Sequence, residues 1–151
     1  MKTDEYFMKL ALKEAQKAYD IGEVPIGCVI VKDDKVIARG YNKREKLNSS
    51  LAHAEIIAIN KASKKLNSWR LEGCKMYITL EPCIMCGGAI IQSRIDEVIY
   101  GAKDNRFGVH DSITNIFNLK FNHSVSIKNK VLENECSNII SDFFKKLRET
   151  K

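Results

Sequence analysis

Proline, tryptophan and long apolar runs are scarce in this sequence, which has two prolines and one tryptophan among 151 residues. The longest uncharged apolar stretch covers residues 83–93, well short of the roughly 18 residues that suggest a membrane span. The first eight residues, MKTDEYFM, are acidic where a secretory signal needs positive charge. We therefore expect a soluble, cytoplasmic protein without a membrane partner. With 44% hydrophobic residues, residues 1–151 are expected to form one domain.

The five cysteines do not indicate a disulfide framework. Such frameworks belong to oxidising compartments and to much shorter domains. Metal binding or catalysis is therefore expected to account for some of them. Three cysteines stand alone in apolar surroundings and are assigned to the core, namely Cys28, Cys74 and Cys136.

The formal charge of +6 comes from 25 lysines and arginines against 19 acidic residues. A basic surface favours a polyanionic partner, because phosphate contacts release counterions. Many basic domains bind no nucleic acid, so the charge alone leaves both interpretations open.

Apolar residues at helical spacing predict helices over residues 5–21, 52–66 and 131–147. Gly22 is placed to end the first helix, and Ser49 or Ser50 is placed to start the second. A fourth helix is expected to begin at Pro82, because proline is tolerated in the first turn.

Short runs rich in β-branched residues predict strands over residues 25–31, 35–40, 75–80, 97–100 and 124–127. Asp33 and Asp34 separate the first two runs and predict a tight hairpin turn. Strands that alternate with helices indicate an α/β chain with helices on both faces of the sheet.

Two short motifs open two of the predicted helices: His53-Ala-Glu55 and Pro82-Cys83-Ile-Met-Cys86. A CxxC at a helix N-terminus places both sulfurs on one side, where the positive helix end favours the thiolates that bind zinc. One histidine nitrogen completes three protein ligands and leaves a tetrahedral zinc ion one open position for water. The spacing therefore predicts a catalytic zinc site made of His53, Cys83 and Cys86.

Glu55 lies two residues after His53 and is expected to reach water at that open position. Zinc lowers the pKa of bound water to roughly 7. A neighbouring carboxylate can then accept a proton, pass it to a ring nitrogen and protonate a departing amine. Deamination needs these transfers, so Glu55 is predicted to be the proton shuttle.

Each motif also has a simpler interpretation when it is taken alone. A CxxC can be a redox pair, and most histidines in helices are packed or solvated. The two motifs together favour the metal site. A structural zinc module that binds RNA remains an alternative, and it would need a fourth ligand from His110 or His123.

On these motifs the chain resembles the cytidine deaminase-like superfamily and, more narrowly, the bacterial tRNA adenosine deaminases. The likeness extends over residues 6–148 and includes residues 22–27, 68–71, 79–83, 100–102, 121–123 and 142–144. It implies a three-layer α/β/α fold around a five-stranded mixed sheet, one zinc ion per subunit and a homodimer. It also implies hydrolytic deamination of the wobble adenosine (position 34) of an arginine tRNA to inosine, with release of ammonia.

The resemblance further implies contacts with the tRNA anticodon loop. Asn42 would hydrogen-bond the flipped adenine, Asp104 and the pair Asn122-His123 would contact neighbouring nucleotides, and Phe144 would lie against the loop. By their residue types alone, Asn42 could equally cap its own loop and Phe144 could equally pack in the core.

The sequence departs from the family's pattern at residues 105–110, NRFGVH, where lysine, glycine and other small residues are usual. Arg106 stands in for the lysine, and Phe107 and His110 are bulkier than the pattern. A free-base or nucleoside deaminase for guanine or cytosine would share every metal ligand. It would have no need of the basic residues Lys145, Lys146 and Arg148 at the end of the last helix, which favours a tRNA substrate.

Overall fold

A computed structural model of the protein describes residues 1–150, which form four α-helices, one 3-10 helix and five strands. Their bounds, in chain order, are α1 (Asp4–Asp20), β1 (Gly27–Lys32), β2 (Lys35–Tyr41), α2 (Ala54–Leu66), β3 (Cys74–Leu80), α3 (Ile84–Gln92), β4 (Glu97–Ala102), the 3-10 helix (Ile116–Asn118), β5 (Ser126–Lys128) and α4 (Glu133–Glu149). Among these residues no helix is long and apolar enough to cross a membrane.

The five strands form one mixed sheet in the order β2-β1-β3-β4-β5. Strand β1 runs antiparallel to both β2 and β3, whereas β3, β4 and β5 run parallel. Met76 in the central strand β3 lies opposite Ile30 on one side and Val98 on the other. The predicted five-stranded mixed sheet is confirmed.

Helices cover both faces of the sheet. Side chains alternate between the two faces along each strand, and both faces carry apolar residues that the helices bury. On one face, buried residues such as Met76 and Val98 pack with Ala58 of α2 and Ile90 of α3. On the other face, a second cluster contains residues of α1, α4 and three strands, namely Met8, Ala11, Val29, Tyr77, Ile99 and Cys136. The α/β/α layering is therefore confirmed, and Cys28, Cys74 and Cys136 are fully buried as predicted.

Two turn predictions are confirmed by the backbone. The amide of Gly22 donates to the carbonyl of Tyr19 and ends α1, at a φ of 80°. Asp33 and Asp34 have φ angles of 51° and 64° and close the β1–β2 hairpin, as a two-residue turn with positive φ does.

The predicted start of α2 was wrong. The helix begins at Ala54 with His53 as its N-cap residue, and neither Ser49 nor Ser50 starts it. The Ser49 hydroxyl accepts instead from the amide of Leu51 and stabilises the turn before the helix. A serine can satisfy a local turn as readily as a helix end, which is why its residue type misled the prediction.

The predicted start of α3 was also wrong, because this helix begins at Ile84 and Pro82 lies before its N-cap residue, Cys83. Helix α4 begins at Glu133, and Leu132 before it has a φ of 52°. Val131 and Leu132 still pack against the core from outside the helix. Apolar residues just before a helix can therefore extend its apparent periodicity beyond its true start.

Two strands were placed slightly too early by the sequence. Strand β1 begins at Gly27 rather than Pro25, and β5 covers Ser126–Lys128 rather than residues 124–127. Pro25 has no amide hydrogen for a sheet ladder. Val125 contributes to the core from outside β5.

One edge of the sheet gathers the ends of several elements. The parallel strands β3 and β4 end there, β1 begins there, and the helices α2 and α3 begin just beyond it. A Cβ atom at Gly40 would lie 2.5 Å from the carbonyl oxygen of Ala54, so glycine lets the first turn of α2 lie against β2. The carboxyl ends of parallel strands are where α/β proteins usually bind ligands.

Candidate metal and substrate site

His53 and Cys83 are the N-cap residues of α2 and α3, and both have extended backbone conformations. Cys86 is in the first turn of α3. The Nδ1 atom of His53 lies 3.7 Å from the sulfur of Cys83 and 3.5 Å from the sulfur of Cys86. All three donor atoms lie within 4.8 Å of one another, so the two motifs meet in one group.

The spacing of these donor atoms fits a tetrahedral metal ion. Zinc forms bonds of about 2.3 Å to sulfur and about 2.0 Å to nitrogen, which separates its ligand atoms by roughly 3.6 Å. One imidazole nitrogen and two sulfurs are also the donor types that zinc prefers. The group formed by His53, Cys83 and Cys86 could therefore hold such an ion.

The electrostatics of the group favour a thiolate at Cys83. Hydrogen bonds with Cys86 and His53 lower the pKa of the Cys83 thiol to about 4, and the bond with Cys86 has the larger effect. The same bond raises the pKa of Cys86, which donates it. The hydrogen bond with Cys83 also raises the pKa of His53. The N-terminus of α3, where both cysteines lie, stabilises negative charge as well.

Glu55 lies in the first turn of α2 and is only 4% exposed. It lines the same cavity as His53 and Cys83. Burial, together with the negative charge of Cys83, raises the pKa of the Glu55 carboxyl to about 7. A carboxyl group that titrates near neutrality can both accept and donate a proton.

The cavity in front of these residues has a volume of about 620 Å³, within the usual range for small-molecule sites. His53, Glu55 and Cys83 line it together with residues from several further parts of the chain. These are Val24 and Ile26, Asn42 and Arg44, Leu80 and Glu81 at the end of β3, the loop after β4, and one face of α4 that includes Phe144.

Asn42 is 6% exposed and caps the loop that it begins. Its side-chain NH₂ group donates to the carbonyl of Val24 at 3.2 Å, and its side-chain oxygen accepts from the amide of Arg44 at 3.1 Å. A carboxamide has two hydrogens and two lone pairs, so one of each remains for a ligand. The bond between Asn42 and adenine stays a prediction.

Phe144 is not a core residue, because it is 38% exposed and lines the cavity. Its neighbour Phe143 supplies the core contact, with its ring 5.6 Å from that of Tyr19. Lys145, Lys146 and Arg148 are exposed on the last turns of α4. Contact of this helix end with RNA stays a prediction.

The structure brings Asp104 and Arg106 to the cavity but not Asn122 or His123. His123 donates from Nε2 to the carbonyl of Ile95, beyond the far end of α3. The Nδ1 atom of His110 is hydrogen-bonded to the Tyr100 hydroxyl at 2.7 Å. Neither histidine joins the metal group among residues 1–150, so the structural zinc alternative lacks its fourth ligand.

Two buried glutamates hold the loops beside the cavity, a role that was not predicted from the sequence. Glu81 and Glu23 are each 2% exposed. Glu81 accepts four hydrogen bonds from the loop after β4, and Glu23 accepts from the amides of Glu45 and Lys46. Glutamates are normally exposed, so a buried one is not expected from its residue type. The only signal for Glu81 was its position beside Pro82.

The sequence model of the MafB19-like deaminase family matches residues 1–148. The tRNA-specific adenosine deaminase of Bacillus subtilis (strain 168) is 47% identical over 152 aligned positions, which cover 100% of this chain and 94% of that protein.

Two solved structures are also similar. One comes from a study of A-to-I editing by tRNA:A34 deaminases at the wobble position of transfer RNA. It has a TM-score of 0.86 and 42% identity, and the match covers 89% of this chain and 98% of that one. The other is a guanine deaminase from Bacillus subtilis, with a TM-score of 0.66, 32% identity and coverage of 80% and 88%.

Proposed function

The chain belongs to the tRNA-specific adenosine deaminases within the MafB19-like deaminase family, and on that premise we propose that it converts the wobble adenosine of a tRNA to inosine. The observation that carries this proposal is the full-length likeness, at 47% identity, to a tRNA-specific adenosine deaminase. We propose an arginine tRNA as the substrate. The enzyme is a hydrolase: water replaces the amino group at C6 of adenine, and ammonia leaves.

We propose that His53, Cys83 and Cys86 hold one zinc ion per chain. The separations of 3.5 and 3.7 Å between the histidine nitrogen and the two sulfurs support this assignment. When bound, zinc supplies Lewis acidity that makes a water molecule acidic enough to react near neutral pH.

In this proposal Glu55 moves the protons of the reaction. Its carboxylate accepts one proton from the attacking water and delivers it to N1 of the adenine ring. It then accepts the second water proton, from the hydroxyl group now at C6, and delivers it to the amino group, which leaves as ammonia. A pKa near 7 supports both directions of transfer. The low exposure of Glu55 supports a role in a site from which bulk water is excluded.

Asn42 would orient the adenine with the hydrogen and the lone pair that its loop contacts leave free. Asp104, Arg106 and Phe144 would contact the nucleotides beside it, because all three line the cavity. The exposed basic residues at the end of α4 would contact anticodon-loop phosphates. The net charge of +6 supports this placement.

We also propose a homodimer. Asn122 and His123 lie away from the cavity of their own chain, so in the dimer they would contact RNA bound at the other subunit. Exposed apolar side chains support an interface, with Leu51 and Ile113 about 60% exposed. Residues 1–151 would form one domain, because both core clusters share one sheet. We place the enzyme in the cytoplasm, with its tRNA substrate.

A panel of substrates tests the proposed function against the guanine deaminase alternative, which the structural likeness to such an enzyme keeps relevant. The purified protein is incubated with total tRNA and, separately, with free guanine, cytosine, cytidine and adenosine. Ammonia release is measured in each. We expect release from tRNA at a rate at least a hundredfold above that from any free base or nucleoside. Faster release of ammonia from guanine than from tRNA would contradict the proposal and favour a guanine deaminase.

A further inference from the structure

Residues 103–112, which we call the wall loop, follow β4 and form one side of the cavity. The carboxylate of Glu81, at the end of β3, is the hub of this loop. Its Oε1 accepts from the amide of Asp104 at 3.1 Å and from the hydroxyl of Ser112 at 2.6 Å. Its Oε2 accepts from the amides of His110 and Asp111, at 2.9 and 2.8 Å. Both ends of the loop are therefore fixed to one side chain.

The surroundings of the Glu81 carboxylate consist of hydrogen-bond donors. Three are backbone amides, those of Asp104, His110 and Asp111, and the fourth is the Ser112 hydroxyl. A Cβ atom at Gly108 would lie 2.3 Å from the carboxylate carbon, so the middle of the loop packs directly on the carboxylate. Only glycine permits that approach.

The wall loop presents charged and aromatic side chains to the cavity. The Asp104 carboxylate accepts from the amides of Arg106 and Phe107 at 3.1 and 3.2 Å, which fixes the backbone of both. Phe107 lines the cavity although its side chain is 66% exposed. An exposed ring beside a guanidinium is a surface on which the bases of single-stranded nucleic acid stack.

We propose that Glu81 is a positioning residue for the deamination, whose buried carboxylate holds the wall loop in the conformation that presents Asp104, Arg106 and Phe107 to the RNA. This inference rests on the proposed function, because it assigns a task to one wall of the same cavity. Glu81 also lines the cavity, but four hydrogen bonds from the wall loop occupy its carboxylate oxygens, so we assign it a role through the loop. Glu23 is a second buried glutamate that holds a different loop, the one between β2 and α2, through the amides of Glu45 and Lys46. It therefore serves as an independent comparison for Glu81.

The substitution Glu81→Gln tests the anchor with little change in shape. A carboxamide replaces one acceptor oxygen with a donor, so either orientation leaves at least one backbone amide of the loop facing another donor. Hydrogen exchange resolved by NMR should show the amides of Asp104, His110 and Asp111 exchanging at least tenfold faster than in the unmodified protein. The amides of Glu45 and Lys46 should exchange at their original rates.

The matched variant Glu23→Gln should show the reverse pattern, with faster exchange at Glu45 and Lys46 and no change in the wall loop. Equal acceleration of both loops in either variant would indicate general destabilisation and overturn the proposal. Unchanged exchange in the wall loop of Glu81→Gln would overturn it as well. This measurement needs no substrate, so it is independent of the proposed function.

Kinetics with an anticodon stem-loop separate positioning from a purely structural role. Glu81→Gln should raise KM at least tenfold, lower kcat less than threefold and retain the zinc content of the unmodified protein. Loss of zinc, or a fall in kcat with KM unchanged, would overturn the proposal. If the unmodified protein does not deaminate the stem-loop, the proposed function fails, and the exchange data still decide whether Glu81 anchors the loop.

Two further variants complete the test. Ser112→Ala removes one of the four hydrogen bonds to Glu81. If Glu81→Gln does not fold, this variant tests the anchoring role of Glu81 in its place. It should raise KM two- to fivefold with kcat unchanged, and an unchanged KM would overturn the proposal. Glu72→Gln makes the same charge change at an exposed turn outside the cavity, and its KM should equal that of the unmodified protein.

Discussion

The Nδ1 atom of His53 lies 3.5 Å from the sulfur of Cys86, although the two residues are 33 positions apart in the chain. Each stands at the start of a helix, and the two helices begin at the same edge of the sheet. The side chain that would move protons, Glu55, lies in the first turn of the first of these helices. Because Glu55 is not one of the three donor residues, substitutions can test its role and that of the metal group one at a time.

Glu55→Ala should retain zinc and lose deamination, because the three donor side chains stay in place while the proton carrier is gone. We expect kcat to fall at least a thousandfold, at the upper part of the range for general acid-base catalysis. Zinc per chain, measured by atomic absorption, should be unchanged. Activity within tenfold of the unmodified enzyme would refute the shuttle role.

Cys83→Ala and Cys86→Ala should each lose both metal and activity, since two protein ligands rarely hold catalytic zinc. Cys74→Ala is the control matched to Cys86→Ala, because both residues are buried free cysteines and Cys74 lies outside the metal group. The control should keep its zinc and lose only a little stability. Full zinc occupancy in either ligand variant is the result that would refute the assignment.

Local patterns in the sequence predicted the layers and the metal group, and the family resemblance implied the mixed sheet. Short runs rich in β-branched residues define the strands, and two short motifs at helix starts define the donors. Helix starts were less predictable. His53 itself begins α2, although Ser49 and Ser50 are better N-cap residue types.

The roles of the buried glutamates could not be predicted, because their partners are backbone amides and, for Glu81, one hydroxyl in distant segments. Glu81 reaches residues up to 31 positions away, and Glu23 reaches residues 22 and 23 positions away. Every residue except proline has a backbone amide, so the residue types of the partners do not show which amides bond to a glutamate. Such contacts become visible only when the loops are placed in three dimensions.

Replacing Lys145, Lys146 and Arg148 with Gln should weaken tRNA binding without changing the zinc content. If all three contact phosphates, the slope of log affinity against log salt should fall by roughly 0.7 to 0.9 for each. Gln at Lys61, Lys64 and Lys65 makes the same charge change at the end of α2 opposite His53. That control should leave the slope in place. An unchanged slope in the α4 variant would remove this helix end from the RNA site.

Phe107 and Arg106 should contribute to RNA binding by different physical means. Phe107→Ala should raise the Kd for an anticodon stem-loop about tenfold, because stacking on one base contributes about 1–3 kcal/mol, and should leave the salt slope unchanged. Phe107→Tyr retains the ring and should bind normally. Arg106→Gln should lower the salt slope by roughly 0.7. Normal affinity of Phe107→Ala would exclude stacking at this residue.

The central claim, deamination of the wobble adenosine, is tested most directly by locating the product within the RNA. An arginine tRNA with adenosine at the first anticodon position is incubated with the enzyme and sequenced after reverse transcription, which reads inosine as guanosine. We predict complete conversion at that position and none at any other adenosine, with no conversion by Glu55→Ala. Intact adenosine at the wobble position, together with release of ammonia from free guanine, would contradict the account.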